Sequence, residues 1–185
     1  MAYQPTQIRI VGGKASRADA AGIRADLQVL RPRFDALVTY GSVNGAELVA
    51  DIAAELGFRA VILGVWSIDD ATELNLALET AARHPDLVVG LSLGNERVLA
   101  GETNFTSLAS RLDRLRERAP QLLYTTTEPF HLFLQEPARS LLETADFLLV
   151  NAHPVFQPWF ARADVAAGAR FVVNVTDEVA GVFCG

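Results

Sequence analysis

Short, continuously apolar runs alternate with amphipathic stretches along the whole chain, and this alternation limits the fold more than any other feature. Ala36 to Tyr40, Arg59 to Trp66, Leu87 to Leu93, Leu122 to Thr126 and Phe147 to Asn151 read as strands. They are apolar throughout rather than at every second position, which marks a parallel sheet buried on both faces. Strand starts recur roughly every 25 to 30 residues, the spacing of a strand, a crossover helix and the next strand. Either Ala2 to Gln4 or residues 7–11 can supply the first strand. The former is preferred, with residues 6–22 as a loop.

Helices are expected between the strands. Ala20 to Leu30 is one, and Ala46 to Leu56 is another, capped by Asn44 and stopped by Gly57. Asp69 is expected to cap a helix to Arg83 that His84-Pro85 ends. Asn104 to Arg118, Pro137 to Glu143 and Asp164 to Val182 follow. The chain thus reads as one domain over residues 1–185, with about six βα units. A closed (β/α)8 TIM barrel has eight units and runs to about 250 residues. The expectation is therefore an incomplete barrel whose seventh and eighth strands lie beyond Cys184-Gly185. An open, doubly wound sheet complete at six strands is the competing reading. Against it, no Gly-rich phosphate turn follows a strand, for Gly12-Gly13 does not belong to a G-x-G-x-x-G pattern.

Charge excludes some partners. The net charge is -6, the acidic and basic residues are interspersed, and Lys14 is the one lysine. A nucleic-acid or anionic-membrane surface is not expected. No apolar run reaches the ~18 residues of a membrane span, and no signal-peptide pattern opens the sequence, so a soluble chain is expected. One cysteine, Cys184, rules out an internal disulfide framework. Asn104-Phe105-Thr106 and Asn174-Val175-Thr176 fit the glycosylation sequon at near-chance frequency.

In a barrel of this kind, chemistry sits at the C-terminal strand ends. Tyr3, Tyr40, Trp66, Asn95 with Glu96, Glu128, and Asn151 with His153 fall there. Aromatic rings beside amides and carboxylates suit sugars, whose C–H faces pack on rings and whose hydroxyls need oriented partners. Bland alternatives stand beside each. Tyr40 can close the barrel mouth, Trp66 can fill core, His153 can be a bonded structural histidine, and Glu128 can cap a helix or pair with arginine. Glu96 is sharper, because Leu91-Ser92-Leu93-Gly94-Asn95-Glu96 runs from strand into an amide–carboxylate pair. A retaining glycosidase needs one carboxyl as general acid and a second, about 5 Å away, as nucleophile. An adjacent amide can bond the sugar 2-hydroxyl.

Seven segments carry a family resemblance. They are Ala2-Tyr3-Gln4-Pro5, Arg24-Ala25-Asp26-Leu27, Val38-Thr39-Tyr40-Gly41, Leu63-Gly64-Val65-Trp66, Val89 to Glu96, Thr125 to Pro129 and Val150-Asn151-Ala152-His153-Pro154-Val155-Phe156. In order and spacing the sequence resembles glycoside hydrolase family 17, the β-1,3-glucanases and β-glucan transglycosylases. The resemblance implies Glu96 as general acid/base, Asn95 as its 2-hydroxyl partner, and Tyr40, Glu128 and His153 around the glucosyl unit at the cleavage point. Trp66, Phe156 and Trp159 are candidate sugar platforms, with Tyr3 and Asn151 as further binding residues. The implied partner is a β-glucan; no cofactor or metal is implied. The family's nucleophile glutamate belongs to the seventh strand, so the chain alone is expected to be inactive. Asp177 and Glu178 do not replace it, since they sit in an amphipathic helical stretch. Two other readings remain: a metal-dependent, sugar-isomerase-like barrel using Glu96, Glu128 and His153, or a non-catalytic carbohydrate-binding piece. Unpaired barrel edges would favour self-association or a complementing C-terminal fragment.

Overall fold

The computed structural model describes residues 1–162 and 164–183; Cys184 lies outside the described residues. The chain opens with strand β1 (Ala2–Tyr3), a small hairpin of β2 (Ile10–Val11) and β3 (Lys14–Ala15), and helix α1 (Ala20–Leu30). Then come β4 (Ala36–Thr39), α2 (Val49–Glu55), β5 (Ala60–Val65), α3 (Ala71–Arg83) and β6 (Val88–Asn95). The rest is α4 (Phe105–Arg118), β7 (Leu123–Pro129), the short α5 (Phe130–Phe133) and α6 (Arg139–Leu142), β8 (Leu149–Asn151) and α7 (Val165–Phe183).

Six strands form one sheet in the order β1-β4-β5-β6-β7-β8, and every pairing is parallel. Apart from the hairpin, which pairs only with itself, spatial order follows chain order. A doubly wound sheet reverses its strand order at a switch point; this sheet has none. It also curls. Ala2, Val38, Gly64, Ser92, Thr127 and Leu149, one from each of the six strands, line a single cavity of about 190 Å³. A sheet whose first and last strands face one cavity is part of a barrel, as expected.

The second layer packs outside. Ile23 and Leu27 of α1, Leu108 and Leu112 of α4, and Phe133 of α5 are fully buried. Each such side chain contributes about 1.5–3 kcal/mol on leaving water. Close approach of β4 and β5 requires Gly64, where a Cβ would lie 2.3 Å from the Thr39 carbonyl oxygen.

Several local expectations change. The loop over 6–22 contains the hairpin, turned by Gly12 (φ 58°) and Gly13 (φ 76°), the two positive φ values a tight hairpin turn needs. Asn44 does not cap its helix; it takes φ 57° beside Gly45 (φ 96°), and a 3-10 turn over Ala46–Leu48 precedes α2. Asp70, not Asp69, caps α3, its carboxylate accepting the Thr72 and Glu73 amides at 2.9 and 3.2 Å. Asp69 instead pairs with Arg111 at 2.7 Å. Asn104 and Gly57 behave as read: Asn104 accepts the Ser107 amide and Gly57 (φ 76°) ends α2. β7 runs on to Pro129, pairing with β8 over residues 127–129. Asp177 and Glu178 are exposed on α7, while Val175 and Val179 of the same helix are buried. No helix among the described residues is long and apolar enough to cross a membrane.

Candidate active site

The end of β6 departs from regular pairing. Its register with β7 shifts between Ser92 and Asn95, and Gly94 takes φ 82°. Glu96 follows with φ 56°, a left-handed conformation for a residue that has a Cβ. Such a position costs about 1–3 kcal/mol and persists only where its surroundings dictate it. They do so here. The Glu96 amide donates to the Thr127 carbonyl at 2.8 Å, and its own carbonyl accepts the Ala100 amide at 2.9 Å. Gly94 leaves no room for a side chain, since a Cβ would lie 2.8 Å from Arg97 Cγ.

This turn brings three predicted residues together. Asn151 Nδ2, at the end of β8, donates to Glu96 Oε1 at 2.7 Å and to Asn95 Oδ1 at 3.3 Å. Asn95, Asn151 and Tyr40 line the cavity inside the curled sheet. The Glu96 carboxylate is therefore oriented by an amide from two strands away. Glu96 does not itself line the cavity, which Asn95 and Asn151 reach and whose walls also carry the hydroxyls of Ser92 and Thr127, 2.9 Å apart.

Glu128 has a different place from the one its motif suggests. It is fully buried, and its two oxygens accept the amides of Val98 at 2.8 Å and Leu99 at 3.2 Å. It sits beneath the turn that carries Glu96 and does not line the cavity. Burial pushes its carboxyl above the ordinary range; the Val98 and Leu99 amides act against that rise, and the Glu96 charge adds to it. With both oxygens committed, it is a poor metal ligand. Among the described residues no group of three or more His, Cys, Asp or Glu side chains is placed to hold a metal ion. The isomerase-like set of Glu96, Glu128 and His153 is thereby corrected.

Over residues 1–185 the sequence matches the BtgE/BtgC glycoside hydrolase domain. The chain belongs to that family. Among solved structures it is similar to an active-site mutant of Rhizomucor miehei β-1,3-glucanosyltransferase in complex with laminaritriose, with 25% identity and a TM-score of 0.73 over 100% of this chain. A second structure, the glycoside hydrolase family 17 β-1,3-glucanosyltransferase of Rhizomucor miehei, aligns with 24% identity and a TM-score of 0.73 over 98% of the chain. The chain spans 66% and 65% of the lengths of those two structures. No curated protein matches the sequence. The resemblance to family 17 and the barrel fold are both borne out.

The remaining predicted residues of this glycoside hydrolase domain spread over the strand-end face. Tyr40 and Trp66 are 36% and 46% exposed, and both line a second cavity of about 380 Å³ beside the first. The Arg97 guanidinium lies 6.0 Å from the Trp66 ring centroid and pairs with Glu102. Tyr3 turns towards the helix layer, its hydroxyl donating to Asp26 of α1 at 2.9 Å. Burial and then that carboxylate push the Tyr3 phenol well above its ordinary value. His153, Phe156 and Trp159 line neither cavity. His153 and Phe156 pack edge to face at 5.5 Å, and Phe156 is 79% exposed. The Trp159 ring packs on Phe171 of α7 at 5.5 Å.

Sequence reasoning missed Glu73. It lies in the first turn of α3, is 1% exposed, and accepts the amides of Ser42 and Ser67 at 2.9 Å each. It thus ties together the two loops that present Tyr40 and Trp66. Gly41 makes room for it, since a Cβ there would meet Glu73 Oε1 at 2.9 Å.

Proposed function

We propose that this domain forms the general acid/base half of a retaining active site for β-1,3-linked glucans, used for hydrolysis or glucanosyl transfer. One observation carries the reading: the Glu96 carboxylate, in a strained turn, is bonded by Asn151, and Asn151 and Asn95 line the cavity inside the curled sheet. In the first step the protonated Glu96 carboxyl donates to the leaving glycosidic oxygen. In the second, its carboxylate takes the proton from water, or from an acceptor sugar's hydroxyl. Asn95 binds the 2-hydroxyl of the reacting unit, a contact that strengthens as oxocarbenium character grows. Asn151 positions the carboxylate. The likeness to a glucanosyltransferase that carries laminaritriose supports the β-1,3-glucan assignment.

A double displacement also needs an ionised carboxylate about 5–5.5 Å from the acid. Glu128, close enough to sense the Glu96 charge, has both oxygens on backbone amides. The nucleophile in this proposal comes from outside residues 1–185, so the chain binds oligosaccharide and does not turn it over alone. The check is product formation from laminarin by the chain alone and mixed with a polypeptide supplying the remaining barrel strands. Activity only in the mixture, lost in Glu96→Gln, is the expected result. Activity of the chain alone would overturn the nucleophile assignment. Inactivity of every combination would overturn the β-glucan reading.

A further inference from the structure

The larger open volume of the strand-end face lies away from Glu96. The cavity beside Asn95 and Asn151, about 190 Å³, is smaller than the roughly 300–1,000 Å³ common for ligand pockets; the second cavity, about 380 Å³, falls within that range. The two share Thr39 and Tyr40 in their walls, so they adjoin. On one side of the second cavity stand Tyr40 and Trp66. On the other stand Ile8, Ile10, Gly13 and Ala15, contributed by the hairpin and its approach.

Its chemistry selects for a neutral ligand. Of the lining carboxylates, Glu73 has both oxygens on the amides of Ser42 and Ser67, and Asp70 Oδ1 accepts the amides of Thr72 and Glu73. Among the described residues that line it there is no lysine or arginine. What remains is aromatic face, apolar wall, and the side-chain amides of Gln4 and Asn44. Ring faces with scattered amides fit an uncharged polyol ring, whose C–H faces pack on the rings and whose hydroxyls pair with the amides.

The hairpin is anchored through its flanks: Gln7 reaches the start of α1, Arg17 pairs with Glu47, and the Ala18 amide donates to the Asn44 carbonyl at 2.9 Å. Ser16 holds it closed, accepting the Arg9 amide and donating to the Gln7 carbonyl, and the Gln7 side chain accepts the Asp19 amide at the start of α1. Neither of its strands pairs with the six-stranded sheet. Ile10 and Val11 are 75% and 76% exposed.

We infer that the second cavity binds glucosyl units remote from the cleaved bond, and that the hairpin over Ile10–Ala15 is its wall, selecting for chain length. This rests on the β-glucan reading and deepens it. Units held there contribute binding energy away from the reacting centre, which can be used to orient the unit beside Glu96.

The test is a calorimetric titration of this chain with laminaribiose through laminarihexaose. Two wall variants, Ile10→Glu and Ala15→Trp, are compared with the unaltered protein, and thermal melts establish that each is folded. Both positions lie on an exposed hairpin, so at least one folded variant is expected. The expected result is an affinity that rises with chain length in the unaltered protein. The variants bind laminaripentaose about tenfold more weakly and laminaribiose within about twofold of the unaltered protein. Equal losses at every length, or none at any length, would overturn the hairpin's role while leaving the β-glucan reading intact. Binding of no laminarioligosaccharide by the unaltered chain would overturn both.

Discussion

Two buried glutamates serve the two halves of the strand-end face in similar ways, and their differences are instructive. Glu73 rises from the first turn of α3 and accepts amides from two separate loops, one after β4 and one after β5. Glu128 projects from β7 and accepts two successive amides of the single turn after β6. Glu73 therefore holds two loops against each other and fixes the spacing of Tyr40 and Trp66. Glu128 holds one turn in shape and fixes the strained backbone at Glu96. In the proposed function, one buried carboxylate supports the binding surface and the other supports the acid/base group. Neither has an oxygen left over for substrate. Both strand-end loops would otherwise bury amides without acceptors, at about 1–3 kcal/mol each.

Replacing the two glutamates in turn should separate these roles. The largest effect is expected for Glu128→Ala in the complemented enzyme. Freed from its clamp, the turn relaxes and Glu96 moves, so kcat on laminarin falls about 100-fold while KM changes little; a misplacement of about 1 Å is enough for such a loss. A change confined to KM would remove Glu128 from the support of Glu96. Glu73→Ala is expected to do the reverse. Laminarioligosaccharide affinity, measured by titration, should weaken about tenfold through loss of the Tyr40–Trp66 spacing, with kcat within a few-fold of the starting protein. If kcat fell as far as it does in Glu128→Ala, the division between the two clamps would be wrong.

A smaller difference is expected in pH dependence. The folded-state pKa of Glu128 is raised above its ordinary value of 4.5, chiefly by burial. The native state then holds a proton that the unfolded chain releases, so this group's contribution to stability falls as pH rises above the ordinary carboxylate range. Glu128→Gln removes that titration. Denaturant unfolding at a series of pH values should show the gap between the original protein and Glu128→Gln shifting in favour of Gln as pH increases. Parallel profiles would contradict the buried, proton-retaining carboxylate. The smallest expected effect is for Arg97→Met, which removes the cation above Trp66 and keeps most of the apolar stem. Its loss should cost about 0.5–1 kcal/mol of stability and at most a few-fold in affinity, read by the same titration.

Much of the fold was legible because it follows from local pattern. Each continuous apolar run became a strand of the parallel sheet, and Asn104, Gly57 and His84-Pro85 set helix ends where their side-chain or backbone chemistry says they should. The hairpin was not legible. Ile10–Val11 and Lys14–Ala15 are two residues each, too short to show a period. The cap of α3 was misread by one residue because Asp69 and Asp70 are both good caps; the partner that claims Asp69, Arg111, lies 42 residues on.

The site divides along the same line. That Glu96, Asn95 and Asn151 come together was legible because all three stand at or just after the ends of recognisable strands. The partners of Glu128 could not be read from the sequence, since the amides it accepts are 29 and 30 residues earlier. Glu73 was missed outright. A glutamate in a first helical turn is ordinary helix-dipole chemistry, and its burial depends on two loops that come together only in the folded barrel.

The most direct measurement of the central claim is the leaving-group dependence of Glu96→Ala in the complemented enzyme. Aryl β-glucosides of laminarioligosaccharides should be compared across leaving groups of rising acidity, with and without azide. If Glu96 is the general acid/base, turnover of poor leaving groups should drop by about 10²–10⁴-fold. The first step with the most acidic leaving group should be nearly spared, and azide should restore turnover, giving a glycosyl azide of retained β configuration. An equal loss for every leaving group, with no azide product, would show that Glu96 does not move the proton.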